Sequence, residues 1–486
     1  MRRNILFALA VVTCVLLTSC SGGSMNQQMT PSNGVPMSLT IGDTPPNGVG
    51  VLFFEALITG VSLQPSDMTK APISALTAPV EVEFGHLQTD TAFLSLANVA
   101  PDTYQSMTLT FGSATMTIVN HSGSPMGGCA DNSVCELTPS FNPTTAAITS
   151  SPLPITISAN SVVGIRLDFN VASSVQTDLS INPTVTIKQL TQRMQDEDDQ
   201  EIEEVDEVDG LVTAVGMNQF TLMNARSGQS FMVNVDSSTI FEDFGRSGCT
   251  ASPEDFTCVM MGQVLNVKLS GNGMGTMLAT RVEFEEAANR RAIKGTITSV
   301  DSATQFHMVV FNEEPAVSGV SEGSVVAVTI NSGATFQVGR EEMGEDGGFS
   351  NSGLSFASGA DLMTGQDVQI RPGSVSSSGG ATTIATDLVR LWPSQITGQV
   401  GRIDSSNGTF TLTGLSPLFM GATPAVTTMT VETLSEMDFM DFSGSGGSGS
   451  MGSLAAGQTV SVKGLLFNTT GMPTLVTRTL RENEDH

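Results

Sequence analysis

Tryptophan and tyrosine each occur once in the 486 residues, as Trp392 and Tyr104. That scarcity argues against a sugar-stacking platform, which needs several flat side chains with a polar edge. The four histidines, His86, His121, His307 and His486, lie far apart in sequence and no HExxH string occurs, so the sequence signature of a zinc protease is missing. No two cysteines have the CxxC spacing of a zinc site either. Lys and Arg number 20 against 48 Asp and Glu, a net charge of −28. A body this acidic repels phosphate backbones and anionic head groups, which leads to the expectation of no nucleic-acid partner. Apolar runs are short as well. The longest, Ile5 to Leu17, would span about 20 Å as a helix, less than the roughly 30 Å of a hydrocarbon core.

That run is preceded by Arg2 and Arg3 and followed by small residues, the build of a secretory signal. Its end, Leu17-Thr18-Ser19-Cys20, resembles the lipobox of bacterial lipoproteins. The resemblance implies that residues 1–19 are removed, that the Cys20 sulfur takes a diacylglyceryl group, and that the new amino terminus is acylated. Several acyl chains hold a protein on a bilayer where one would be marginal. Ser21, in place of an aspartate, implies by the same resemblance the outer membrane. Residues 20–36, rich in Gly, Ser, Pro and Gln, read as a flexible tether reaching roughly 20 to 25 Å. With Cys14 in the signal and Cys20 carrying lipid, four cysteines remain. An even count in an exported chain reads as disulfides, Cys129–Cys135 and Cys249–Cys258, each worth about 2 to 3 kcal/mol.

The rest is expected to be all-β. Residues 37–192 alternate with a period of two: Ile165, Leu167, Phe169 and Val171 fall on one face, Arg166, Asp168 and Asn170 on the other, and Met107, Leu109 and Phe111 repeat the pattern. Turn residues such as Asn47-Gly48 and Pro101-Asp102 punctuate it. The expectation is an antiparallel β-sandwich. "SLTIGDTPP" from Ser38, "FFEALITGVSLQP" from Phe53, "APDTYQSMTLTF" from Ala100 and "LDFNV" from Leu167 resemble an uncharacterised domain family found near the N-termini of bacterial lipoproteins. That resemblance implies the sandwich and carries no activity.

Residues 193–209 hold ten carboxylates within the fourteen positions Asp196 to Asp209. Such a block repels itself and reads as an extended linker. Clustered carboxylates also suit Ca²⁺, but no EF-hand spacing orders these. Beyond it the chain repeats itself three times. Each unit opens on glycine and a β-branched strand (Gly210, Gly295, Gly398), continues with a phenylalanine strand (Phe220, Phe306, Phe410), and returns with Gly-Gln (Gly262, Gly365, Gly457) and a last strand. The Gly to Gly-Gln spacings are 52, 70 and 59, which places the insertions mid-unit. Three small β-barrels are expected, at 210–288, 293–392 and 395–482. The pattern resembles a second uncharacterised family of tandem domains, generally read as oligonucleotide/oligosaccharide-binding-like (OB-like) barrels.

Gly319 to Gly323 spells GxSxG, but a β-branched strand follows where a nucleophile elbow needs a helix. "GNGMG" at Gly271 reads as a hairpin turn rather than a phosphate loop. Trp392 is expected as a spacer between the second and third barrels, and Tyr104 as a cap on the sandwich. No catalytic, metal or cofactor residues are assigned. The functional expectation is a non-enzymatic, lipid-anchored envelope protein whose partners are the membrane, through its anchor, and an envelope protein or glycan. The alternative is an extracytoplasmic hydrolase of glycans or peptides.

Overall fold

In a computed structural model of the chain, the described residues are 35–44, 50–89, 92–159, 163–190, 205–224, 230–272, 276–287, 292–314, 316–339, 354–440, 451–452, 454–469 and 472–482. Residues 1–19 expected as a signal, Cys20, nearly all of the expected tether and most of the acidic run lie outside them, as does much of the long insertions in the second and third repeats. All described residues belong to one compact unit, and they are nearly all β.

Eleven strands make two sheets. They are β1 (Val35–Thr44), β2 (Gly50–Pro65), β3 (Ile73–Ser74), β4 (Val80–Glu83), β5 (Ala92–Val99), β6 (Asp102–Asn120), β7 (Ser133–Leu137), β8 (Thr145–Ile148), β9 (Ile155–Ile157), β10 (Val163–Asn170) and β11 (Val185–Leu190). One sheet runs β11-β10-β1-β5; the other runs β3-β2-β6-β7, with β4 on β2 and β8 and β9 on β6. The alternating side chains do what period two demands. Leu39, Ile41, Phe54, Leu109, Ile165 and Leu167, drawn from both sheets, share one core. Two details differ from expectation. The sheets are not wholly antiparallel, because β1 pairs with β10 in parallel. The long excursion through the other sheet supplies the crossover that a parallel pair requires. And β10 stops at Asn170, whose side chain accepts from Ser173 N to cap a single helical turn, so Val171 is buried as the first residue of that turn. Tyr104 lies within β6, fully buried, its hydroxyl donating to Ala100 O at 2.7 Å.

Sixteen strands make the remainder. The first barrel has β12 (Val205–Val215), β13 (Gln219–Asn224), β14 (Ser230–Asn234), β15 (Ile240–Glu242), β16 (Gln263–Asn272) and β17 (Thr276–Ala287). The second has β18 (Ala292–Ser302), β19 (Gln305–Glu314), β20 (Val325–Val338), β21 (Asp367–Ser378) and β22 (Ala381–Trp392). The third has β23 (Ser394–Asp404), β24 (Thr409–Thr413), β25 (Thr428–Met440), β26 (Thr459–Phe467) and β27 (Thr474–Glu482). The second and third are closed barrels with strand order 1-2-3-5-4, strands 3 and 5 running parallel. The first follows the same order, closed by the parallel pairing of β14 with β17. These are OB-like barrels. Strand β12 starts at Val205, inside the stretch expected as linker, because Val208 is buried opposite Val267. Similarly, β1 begins at buried Val35, inside the expected tether.

Both recurring glycines have a physical cause. On the first strand of each barrel, a Cβ at Gly295 or Gly398 would lie 2.6 or 2.8 Å from a carbonyl oxygen of the second strand. At the Gly-Gln corner, Gly262, Gly365 and Gly457 have φ of 85°, 89° and 89°, a region that penalises any Cβ. The glutamine then closes the corner. Its Oε1 accepts the N–H three residues back: Met260 from Gln263 at 2.7 Å, Met363 from Gln366 at 2.8 Å, and Ala455 from Gln458 at 3.0 Å.

Candidate functional site

Glu83 ends β4 and is 3% exposed. Its carboxylate would be costly there without donors, and the chain supplies them. Oε1 accepts from Phe54 N at 3.2 Å and Gly85 N at 2.8 Å; Oε2 accepts from His86 N at 3.2 Å and lies 2.8 Å from His86 Nδ1. This grip fixes the loop after β4 and turns the imidazole outward against Phe311 of the second barrel, ring centroids 4.0 Å apart. His86 Nε2 then faces Thr296 Oγ1 at 3.5 Å and Asp367 Oδ2 at 3.9 Å.

Asp367 is the first residue of β21 and is buried. Thr296 Oγ1 donates to its Oδ1 at 2.6 Å, and its backbone N–H donates to Ser394 Oγ of the third barrel at 2.8 Å. Burial pushes the carboxyl up to about 6; the His86 imidazole and the Thr296 hydroxyl oppose that, while the Glu83 carboxylate adds to it. Next to it the third barrel meets the two-sheet region directly. Gln395 Nε2 donates to His86 O at 2.6 Å, its Oε1 accepts from Thr89 N at 3.1 Å, and Thr397 Oγ1 donates to Gln88 Oε1 at 2.7 Å. Buried Arg481 donates from one terminal nitrogen to Gln88 O at 2.9 Å. The cavity left between the three modules is about 90 Å³, with Leu52, His86, Thr296, Asp367, Gln395 and Phe419 in its lining.

Thr296, His86 and Glu83 stand in the order of nucleophile, base and orienting carboxylate. The hydrogen bonding does not follow that order, since the short hydroxyl contact is to Asp367 and not to His86. The space also holds a few water molecules rather than a sugar ring or a peptide. Chemically the cluster can carry a proton among two carboxylates and an imidazole. Mechanically it ties three modules together. Among the described residues no three His, Cys, Asp or Glu side chains form a group that could hold a metal ion.

Sequence reasoning missed this cluster. The "EFGH" string carries a weak signal, because Glu83 and His86 are three residues apart, but Asp367 arrives only through the fold. Of the other histidines, His121 Nδ1 lies 2.8 Å from Asn132 Oδ1 and His307 Nδ1 3.3 Å from Asp301 Oδ2; His486 lies outside the described residues. The GxSxG string is a turn that docks on the first module. A Cβ at Gly323 would sit 2.8 Å from the Phe53 ring, and Thr117 Oγ1 donates to Gly323 O. Residues 273–275 of "GNGMG" lie outside the described residues, but Asn272 pairs with Thr276 across them as in a hairpin. Trp392 ends β22, with Lys294 Nζ 3.8 Å from its ring centroid. Cys129 is bonded to Cys135 and Cys249 to Cys258, with Cα–Cα distances of 5.7 and 5.4 Å.

The barrels do not have wholly separate cores. Leu465, Phe467 and Val476 of the third pack with the core of the second, and Met363 of the second packs with the core of the third.

Residues 209–283, the first barrel, match the model of a family described as a domain of unknown function (DUF5666). No curated protein matches the chain. Two solved structures that it resembles are "drosophila Unr CSD456", at 10% identity and a TM-score of 0.12 over 58% of this chain and 98% of that one, and a multidomain protein with nucleic acid binding domains from Streptococcus pneumoniae, at 9% and 0.11 over 58% and 73%. The expectation of no nucleic-acid partner is corrected on this finding, since a solved structure among these neighbours is titled for nucleic-acid binding. Each barrel is itself net acidic in sequence, so the reason lies not in total charge but in where on a barrel's surface the charges stand. Likenesses this distant carry no argument about what the barrels bind.

Proposed function

We propose that the chain is a non-catalytic protein of the cell envelope, moored by lipid on Cys20 to the outer membrane, whose two-sheet domain and OB-like barrels form a fixed frame that binds or presents an envelope protein or glycan. The observation that carries the non-catalytic reading is the state of the Glu83–His86–Asp367 cluster. Its polar atoms bond to one another, to backbone amides and to Thr296, around a cavity of about 90 Å³. Groups arranged this way hold modules in register rather than meet a substrate.

The anchor is tested by mass spectrometry of the mature amino terminus. A diacylglyceryl-modified Cys20 supports the reading, and a chain beginning elsewhere with a free thiol at that position refutes it. The frame is tested with Glu83→Ala, which leaves the N–H groups of Phe54, Gly85 and His86 without their acceptor. Loosening of the seam under limited proteolysis, with no turnover of glycan or peptide by either form, fits the proposal. Turnover by the native chain that the variant loses would establish the hydrolase instead. Binding is read by calorimetry with glycan fragments and with a single-stranded oligonucleotide.

A further inference from the structure

We propose that the exposed methionines of this chain are sites of sulfur oxidation, each taking one oxygen atom from a peroxide or from hypochlorous acid while the fold around it stays intact. Methionine is a minor part of the core, where leucine, valine, isoleucine and phenylalanine predominate. Yet among the described residues it makes up seven of the nine large apolar side chains that stand exposed, the other two being Val215 and Ile240. No leucine or phenylalanine is among them. Scattered exposure of apolar side chains is ordinary. Exposure that selects one residue type is not explained by hydrophobicity. Methionine differs from leucine in its flexible chain and its oxidisable sulfur. Flexibility serves to fill gaps in a core, which is of little use to side chains that are 40 to 90% exposed.

Their positions let the chemistry proceed without cost to the cores. Met68 stands in the turn after β2, Met217 in the hairpin between β12 and β13, Met260 and Met261 on the corner before Gly262, and Met420 in the single 3₁₀ turn Pro417–Gly421. All five are more than half exposed; Met232 and Met472 are 40% exposed. Two of the sulfurs already face donors. Gln105 Nε2 donates to Met68 Sδ at 2.6 Å, and Thr430 Oγ1 donates to Met472 Sδ at 3.2 Å. A thioether is a weak acceptor, and the polar sulfoxide oxygen is a better one, so oxidation strengthens a bond that each site already makes. Met37, Met107, Met116, Met308 and Met429 are the opposite case. They are fully buried, meet oxidant only when the fold opens, and as sulfoxides would set a polar oxygen in apolar packing.

The step is a two-electron oxidation. A lone pair on Sδ attacks one oxygen of hydrogen peroxide, the S–O bond forms as the O–O bond breaks, and the departing hydroxide takes the proton of the transferred oxygen to leave as water. Sulfur ends as the sulfoxide and the peroxide is reduced. Hypochlorous acid gives the same product, leaving chloride and a proton. The reaction needs neither cofactor nor catalytic residue, and it does not depend on the lipid anchor or on what the frame binds.

Timed exposure of the full chain carrying Cys20→Ser to hydrogen peroxide tests this, with peptide mass spectrometry at each methionine. Urea unfolding is followed in parallel by the fluorescence of Trp392. The seven exposed methionines are expected to gain one oxygen each at least about tenfold faster than the five buried ones. The unfolding midpoint, read when the seven are converted and the five are not, should equal that of the untreated chain. Conversion of both sets at one rate overturns the proposal. A midpoint that falls in step with conversion of the seven overturns it too, because the exposed sulfurs would then be holding the fold.

Discussion

Asp367→Asn tests the seam most directly. The carboxyl titrates near 6 in the fold, against 3.8 in the unfolded chain. Because the folded value is raised, the unfolded chain releases this proton first. The stability linked to the group is complete below 3.8 and is lost as the pH climbs through 6. From those two values the charged form costs the native state about 3 kcal/mol at pH 8, and less than about 1 kcal/mol at pH 4. Asparagine keeps the acceptor that Thr296 uses at 2.6 Å and carries no charge. The variant should therefore be more stable than the native chain at pH 8 by up to about 3 kcal/mol, with the gain shrinking towards zero at pH 4. The assay is urea unfolding followed by the fluorescence of Trp392, the sole tryptophan and the residue paired with Asp367 across β21 and β22. A variant no more stable at pH 8, or a difference that does not change with pH, would refute the reasoning. It would mean that His86 fully compensates the buried charge.

Glu83→Ala leaves Phe54, Gly85 and His86 N–H groups without their acceptor, and should cost more than about 3 kcal/mol in the same urea assay. Gly365→Ala and Gly262→Ala share a left-handed backbone penalty of about 1 to 2 kcal/mol. Only the former also drives a methyl into Phe419, so thermal melts should show the larger loss, by about 1 to 3 kcal/mol, at Gly365. Replacing Cys249 and Cys258 together by serine should cost the first barrel about 2 to 3 kcal/mol, measured by hydrogen exchange of β12 and β16. Deleting residues 395–482 should destabilise the second barrel, because it removes Leu465, Phe467 and Val476 from the shared core. A second barrel that melts unchanged without them would show the shared packing to be inconsequential.

The all-β class was legible because its cause is local. Alternation in "IRLDFNV" and "SMTLTF" reports one buried face per strand, and Ile165, Leu167, Phe169, Met107, Leu109 and Phe111 are all buried. The parallel β1–β10 pair was not legible, since nothing local in Leu39 or Ile165 says which strand lies beside it. The seam was hidden for the same reason. Asp367 lies 281 positions from His86, and a carboxylate starting a strand looks like any other until the fold buries it.

The Gly-Gln corners mark the boundary between the two kinds of information. Recurrence of Gly262, Gly365 and Gly457 with Gln263, Gln366 and Gln458 reports a backbone need, a positive φ closed by a side-chain acceptor, and that need is identical in all three. The two residues before each glycine are free of it. They differ from unit to unit: Met-Thr under a neighbouring barrel, Ala-Ala in the open, and Met-Met in the open. The constant positions therefore encode the fold, and the positions before them are free to differ with each corner's surroundings.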